Sequence, residues 1–388
     1  MINLEDLIEV DPNISVIIKN DSLKEIKNKI LSNCSIRQFS KIVDCSPSFL
    51  SNLLNNRIKS CKFIFIQKVT KILNLKPNEI IEKVISRCRL NCFIPIEAFP
   101  IKKSPIMANL VGHAFGDGHI GPISFAYSNK NRNLIDDVIS NAKKLSVNNV
   151  TYNSRYHKAT NIQFSKLVRN ILILAGSPIG RKTSQILKVP VWIKKGSRKI
   201  KKSFIQAIFD DEATVSIGSR EIVLGMKKTS EIVNSLVDFF EEIKCMLKEF
   251  KIKNVAITNG SDYVKKDGEI TKEKRLRICG ASNFINFKDK IDFIHPLKIQ
   301  KLNKLIAISI DSKMKIHRTK IKIVKLLEEN KKLSTSILAK KIGLGRRTTA
   351  DRLRELEKLK VVDRIRVKNK AKPHIWFLDK PKNFNPIV

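Results

Sequence analysis

The sequence predicts an α+β fold: a doubled αββαββα centre, with a helical block before it and a helix-rich block closing in a small hairpin after it. Three observations predict this. Residues 101–314 run through one apolar-helix, acid, strand, strand, helix pattern twice. Residues 20–85 hold short amphipathic helices in close succession, one of them opened by Ser46 and Pro47. Residues 315–388 read as three helices followed by two β-rich runs.

The chain has 388 residues, with Lys and Arg numbering 75, Asp and Glu 36, and a formal net charge of +39. That length divides into a block at 1–90, a linker at 91–105 marked by Pro95, Pro100 and Pro105, a core at 106–312 and a final block at 315–380. The excess charge is +5 over residues 1–100, +19 over 101–314 and +15 over 315–388. It therefore rides on segments with hydrophobic periodicity, and the 42% apolar fraction excludes wholesale disorder. A polyanionic partner is the simplest physical reason for such a charge, and double-stranded DNA is the partner expected. No apolar run is long enough to span a bilayer and no charged-then-apolar leader opens the chain, so a cytoplasmic, nucleoid-associated protein without a membrane is expected. The seven cysteines lack paired C-x-x-C spacing; Cys88 and Cys92 have no second pair nearby, and reduced thiols fit better than zinc.

In the first block, residues 23–31 and 36–43 read as helices, then Asp44 and Cys45 as a turn. Ser46 then caps a helix that has Pro47 at its first position, the one site where proline favours a helix. That helix buries Leu50, Leu53 and Leu54 and turns out Ser48, Ser51 and Asn52, short hydrogen-bonding side chains suited to base edges. Residues 63–73 and 77–84 complete an all-α block resembling a Cro/repressor-type helix-turn-helix. A plain helical bundle would show the same apolar pattern.

In the centre, Leu110-Val111-Gly112-His113-Ala114-Phe115-Gly116-Asp117-Gly118 lines up with Ile205-Gln206-Ala207-Ile208-Phe209-Asp210-Asp211-Glu212-Ala213. Amphipathic helices follow at 134–145 and 232–247, and strands restart at Asn149-Val150 and Asn254-Val255. With the flanking 180–193 and 293–298 segments, this pattern resembles the single-chain LAGLIDADG (dodecapeptide, DOD-type) homing endonucleases. Pseudo-repeats then lie at about 108–176 and 203–300, in a monomer with an internal pseudo-two-fold. The resemblance implies that Asp117 and Glu212 hold Mg²⁺ (or Mn²⁺), that sheets near 120–128, 150–164, 214–225 and 255–278 lie on the major groove, and that the activity is cleavage of both DNA strands. The physics is compatible. Gly112 and Ala207 permit close helix contact, and two carboxylates at two helix C-termini repel until a cation relieves them. Lys166, at the end of a strand, is the supporting cation expected beside the metal. Asp211 fills a position that is usually small, and Ala213 replaces a glycine, which would cost about 1 kcal/mol if that backbone required positive φ. His113, inside an apolar helix, reads as a packed, hydrogen-bonded core residue. The alternative reading is a DNA-binding transcriptional regulator on a LAGLIDADG scaffold that no longer cuts.

In the last block, helices at 321–327, 334–342 and 346–359, then β-rich runs at 361–367 and 374–378, resemble a winged helix-turn-helix. Arg346, Arg347, Thr348, Thr349 and Arg352 begin the helix that would enter the major groove, and Lys368, Lys370 and Lys372 would touch phosphate from the wing. No H-E-x-x-H, Walker A, Gly-x-Ser-x-Gly or dinucleotide fingerprint appears, nor does a His-Asn ending that would suit intein chemistry.

Overall fold

The computed structural model describes residues 1–86, 92–145, 150–156, 159–264, 268–365 and 374–379. The chain folds as two compact units, Met1–Asn303 and Lys304–Val388.

The first unit opens with the expected helices, and their caps explain their bounds. Ser35 and Gln38 form a reciprocal capping box ahead of Ile36–Ile42, and Ser46 Oγ accepts from the Phe49 amide ahead of Pro47–Leu54. Asp44, in the left-handed region at φ 58°, makes the turn between them. Leu50, Leu53 and Leu54 are buried and Ser48 is exposed, while Ser51 and Asn52 are half-buried.

The block is not all-α, however. Ser15–Ile18 pairs with both Cys61–Lys62 and Ile81–Ser86, and Cys92–Pro95 adds a fourth strand. The helix expected at 77–84 covers only Pro77–Ile80, because the β-branched Ile81, Val84 and Ile85 join the sheet instead. The expected linker is likewise folded. Past Cys92–Pro95 the chain makes a 3₁₀ turn, Ile96–Ala98, and Ile101 exchanges backbone hydrogen bonds with Ile2 at 2.9 and 2.8 Å. Of the cysteine pair set aside as a zinc site, Cys88 lies outside the described residues.

The centre has two αββαββα halves, so the predicted α+β architecture is the observed one. The first half supplies a sheet ordered Gly118–Ile120, Phe125–Asn129, Ala159–Phe164, Val150–Tyr156. The second supplies Ala213–Ser216, Glu221–Thr229, Ile270–Cys279, Ala256–Val264 in the matching order. Every pairing is antiparallel. The leading helices, Pro105–Phe115 and Arg198–Glu212, are capped by Ser104 and Ser197 and pack side by side. Phe115 stacks on Phe239 with parallel rings 5.6 Å apart and meets Phe204 edge-on.

The second unit closes the long helix Pro296–Asn330 with a strand, Lys332–Ser334, then Thr335–Ile342 and Arg346–Lys358, then strands Val362–Ile365 and Ile375–Leu378. Gly343, at φ 78°, ends Thr335–Ile342 in a left-handed cap. Ile323, Leu327, Leu338, Leu353, Leu356, Val362 and Trp376 form its core. Among the described residues no helix is long and apolar enough to cross a membrane.

Candidate acid centre and DNA-reading helix

Small residues set the seam between the two leading helices. A Cβ on Gly112 would stand 2.7 Å from both Ala207 Cβ and Phe204 O, so only glycine permits this approach. Each helix then ends in its acid. Asp117 follows the C-cap Gly116, and Glu212 is the last residue of its helix. Ala213, where the repeat would place glycine, is extended at φ −89° and ψ 150°, so the substitution brings no left-handed strain. Its counterpart Gly118 is required sterically instead: a Cβ there would lie 2.7 Å from His113 O and from the Phe125 ring.

Asp211 does not crowd the seam; it is bonded into it. Its side chain is fully buried, and its Oδ2 lies 3.0 Å from His113 Nδ1. The same oxygen accepts from the Asp117 amide at 3.1 Å, and Oδ1 accepts from the Tyr127 hydroxyl at 2.7 Å. On the far side of the buried His113 ring, Nε2 lies 3.6 Å from Asp137 Oδ2. Burial works against the imidazolium, but the charge of Asp211, the hydrogen bond to it and the nearby charge of Asp137 prevail, and the His113 pKa rises to about 10. Asn129 completes the cluster by donating to Asp117 Oδ2 at 2.8 Å.

Desolvation, then the negative charges of Asp211 and Glu212, raise the Asp117 carboxyl to about 7, although Asp117 keeps an exposed outer side. Burial also raises Glu212. Two lysines oppose this accumulation. Lys182 Nζ donates to Phe115 O at 3.2 Å, to Gly118 O at 2.9 Å and to Gly116 O. Lys298 Nζ donates to Phe209 O at 3.1 Å and to Asp210 O. Both ammoniums thus cap the negative ends of the paired helices. Burial lowers the pKa of each, while the charges of Asp117, Asp211 and Glu212 draw the other way. The loop carrying Lys182 is tied down by the buried Lys228, which donates to Lys182 O and Gln185 O. The segment leading into Lys298 is fixed by Asp210, whose carboxylate accepts from the Ile294 and His295 amides at 2.9 and 3.0 Å.

Lys166 takes no part in this arrangement. It begins the helix Lys166–Leu174 and pairs with Asp11 Oδ2 at 2.9 Å, a contact between the N-terminal block and the first half. The expected supporting cation is corrected accordingly: the lysines whose charges reach the acids are Lys182 and Lys298. The sequence signal for them was present, since both lie in the flanking segments that carried the resemblance, but neither follows a strand.

Mg²⁺ or Mn²⁺ would need hard oxygen ligands at this centre. Among the described residues no group of three or more His, Cys, Asp or Glu side chains is disposed to hold a metal ion. Asp211 spends both oxygens on His113, Tyr127 and the Asp117 amide. Asp117 and Glu212 fit such an ion as a pair of carboxylates, with water and phosphate to complete its octahedral shell.

In the second unit, Arg346, Arg347 and Thr348 are exposed on the first turn of Arg346–Lys358. Thr349 is buried at 0% exposure with its hydroxyl donating to Gly345 O, so it belongs to the core and not to a DNA-facing surface. Arg352 is half-buried and bonded to Glu355, which Lys320 also holds at 2.8 Å. Leu359, the C-cap of that helix, is exposed. Trp376 is fixed by donation to Thr335 Oγ1 at 2.9 Å, with the Arg364 guanidinium 5.5 Å from its ring. The wing residues Lys368, Lys370 and Lys372 lie outside the described residues.

Residues 316–363 match the family model of a winged helix-turn-helix DNA-binding domain. The chain is 25% identical over 301 residues to the DNA-directed RNA polymerase subunit Rpo1N of Methanocaldococcus jannaschii, covering 69% of this chain and 21% of that protein. It is 26% identical over 220 residues to the tRNA-splicing ligase RtcB of the same organism, covering 50% and 22%, and 24% identical to its replication factor C small subunit, covering 71% and 14%. The chain therefore spans about a fifth or less of the length of these relatives. Among solved structures, full-length DUF199/WhiA from Thermatoga maritima aligns over 67% of this chain and 92% of its own at 12% identity and a TM-score of 0.34. The N-terminal LAGLIDADG domain of DUF199/WhiA aligns over 50% and 84% at 12% identity and a TM-score of 0.31. Likenesses this loose carry no function. The chain thus carries a segment that matches winged helix-turn-helix DNA-binding domains, and a two-fold repeated α+β core.

Proposed function

We propose that this chain is a double-stranded DNA-binding protein that acts as a transcriptional regulator and does not cut its target. It works as one chain, in the cytoplasm at the nucleoid. The observation that carries this reading is the exposed Arg346, Arg347 and Thr348 on the first turn of a helix within the segment that matches winged helix-turn-helix DNA-binding domains. A helix start of this kind offers side chains to base edges and free amides to phosphate. The net charge of +39 supports it, since each phosphate neutralised releases a counterion. The centre supports binding without cleavage, because Lys182 and Lys298 occupy the helix ends beside Asp117 and Glu212.

One observation favours a second reading, a metal-dependent site-specific endonuclease of the homing type. Asp117 and Glu212 both survive at equivalent ends of paired helices. Incubation with a plasmid library of genomic fragments, in Mg²⁺, in Mn²⁺ and in EDTA, separates the two. The regulator reading expects salt-sensitive binding in EDTA and intact plasmid with either ion. Linear product that Asp117→Asn abolishes would establish the nuclease.

A further inference from the structure

One face of the second half's sheet is closed, with Ile222, Leu224, Leu276 and Ile278 fully buried. On the other face, Arg275 and Arg277 point outward from Ile270–Cys279 with their side chains 43% and 39% exposed. Each lies on a glutamate recessed beneath it, and these acids are only 13% and 8% exposed. Arg275 donates from Nη2 to Glu273 Oε2 at 2.8 Å, and Arg277 donates from Nε to Glu221 Oε2. Glu273 rests between two glycines. A Cβ on Gly225 would stand 2.6 Å from its Oε1, and one on Gly260 would collide with its Oε2. Ser261, at the irregularity between Asn259 and Asp262, donates its amide to Glu273 Oε2 at 3.2 Å. Burial opposes ionisation of both acids, but the bonds from the arginines outweigh it and lower their pKa values. On a chain of net charge +39, such acids weaken the attraction for a polyanion, so what they add is a fixed direction for each arginine fork.

We infer that Arg275 and Arg277 are specificity-determining residues that read two guanines of the DNA target, with Glu273 and Glu221 as the positioning residues that aim them. This rests on the DNA-binding reading above and adds a recognition surface outside the winged segment. The major groove admits a β-ribbon and presents guanine O6 and N7, which an arginine fork meets with two hydrogen bonds. Arg277, bonded to its acid through Nε, leaves its two terminal nitrogens for such an edge. The arginines stand two residues apart on one face, about 7 Å along the strand, which is about two base steps on DNA. The two guanines are therefore expected with one base between them. At the matching register of the first sheet stand Gln163, opposite Ala126, and Asn161, opposite Ser128, where the second has Arg277 opposite Val223 and Arg275 opposite Gly225. Side-chain amides suit adenine, so the guanine pair belongs to one half of the target.

The test reads base preference in EDTA, so that it does not depend on cleavage. The full chain selects sites from a randomised duplex library, and its binding to the selected site and to a random duplex is then titrated. The wild-type protein is expected to enrich two guanines separated by one base, on one side of its site. Arg275→Lys and Arg277→Lys, each checked for folding by circular dichroism, keep the charge but lose the planar fork. Each is expected to lose the preference for one guanine, binding the selected site about 5- to 150-fold more weakly and the random duplex as the wild type does. Glu273→Gln keeps the size and removes the charge. It is expected to bind random duplex more tightly while discriminating less at that guanine, a split that a structural role alone would not produce. Lysine variants that select the wild-type sites, or that weaken selected and random duplexes alike, overturn the inference, as does a wild-type selection without the guanine pair. If one lysine variant unfolds, the other and the wild-type selection decide. Each of those failures leaves the regulator reading standing, whereas a wild-type protein that binds no duplex would sink both.

Discussion

Asp211 occupies the space that Gly116 leaves empty: a Cβ on Gly116 would stand 2.4 Å from Asp211 Oδ2 and 2.5 Å from its Cβ. The carboxylate cannot swing away, because His113, Tyr127 and the Asp117 amide hold it. Gly116→Ala is therefore expected to destabilise the first unit by about 1–3 kcal/mol, the usual cost of overpacking. Adding Asp211→Ala should give back part of that loss, a coupling that urea denaturation of the two single variants and the double variant measures.

His113 gives stability a pH signature. Its imidazole holds a proton up to about pH 10 in the folded chain, against an ordinary value of 6.5. The stabilisation it brings is complete below about pH 6.5 and is lost as pH rises toward 10. Replacing His113 with Leu should lower stability most at pH 6, with the gap to wild type narrowing at pH 9.5. Urea midpoints across this range check it, and a constant gap would mean that the imidazole is neutral throughout.

Two adjacent threonines separate recognition from folding. Arg347→Ala and Thr348→Ala are expected to weaken DNA binding with little change in melting temperature, since both residues are exposed. The arginine change should also reduce the salt slope of log K by about one if it touches phosphate. Thr349→Ala should instead lower the melting temperature of the second unit, because its side chain is buried against Gly345. Binding isotherms at several salt concentrations, beside calorimetric melting, distinguish the three.

Lys166→Met is expected to cost about 1–3 kcal/mol of stability by leaving the buried Asp11 carboxylate short of its partner. DNA affinity measured at a temperature where the variant stays folded should be unchanged. A selective loss of affinity would restore Lys166 to the functional surface.

The doubled centre was legible because its signals are local. An apolar helix ending in an acid, a turn and an amphipathic helix recur at matched spacing, and the glycine and alanine of the seam read as close contact. Ser46 with Pro47 at a helix start was legible for the same reason. What stayed hidden depends on pairing across long separations. Ser15–Ile18 becomes a strand by finding Ile81–Ser86, which no local pattern announces. Lys182 and Lys298 lie 67 and 89 residues from carbonyls they cap, at Phe115 and Phe209, and a strand-end rule pointed to Lys166 instead. Asp211 looked like an obstruction because its partners His113 and Tyr127 come from the other half.

The unequal seam makes the two halves non-interchangeable. Two copies of the second half, docked as a symmetric pair, would bring one Asp211 against another where the present chain has only a hydrogen atom, and neither carboxylate would find a His113 or Tyr127 to receive it. Two copies of the first half would leave a void there and strand both imidazoles without their acid. Each half is thus shaped to receive the other and not a copy of itself.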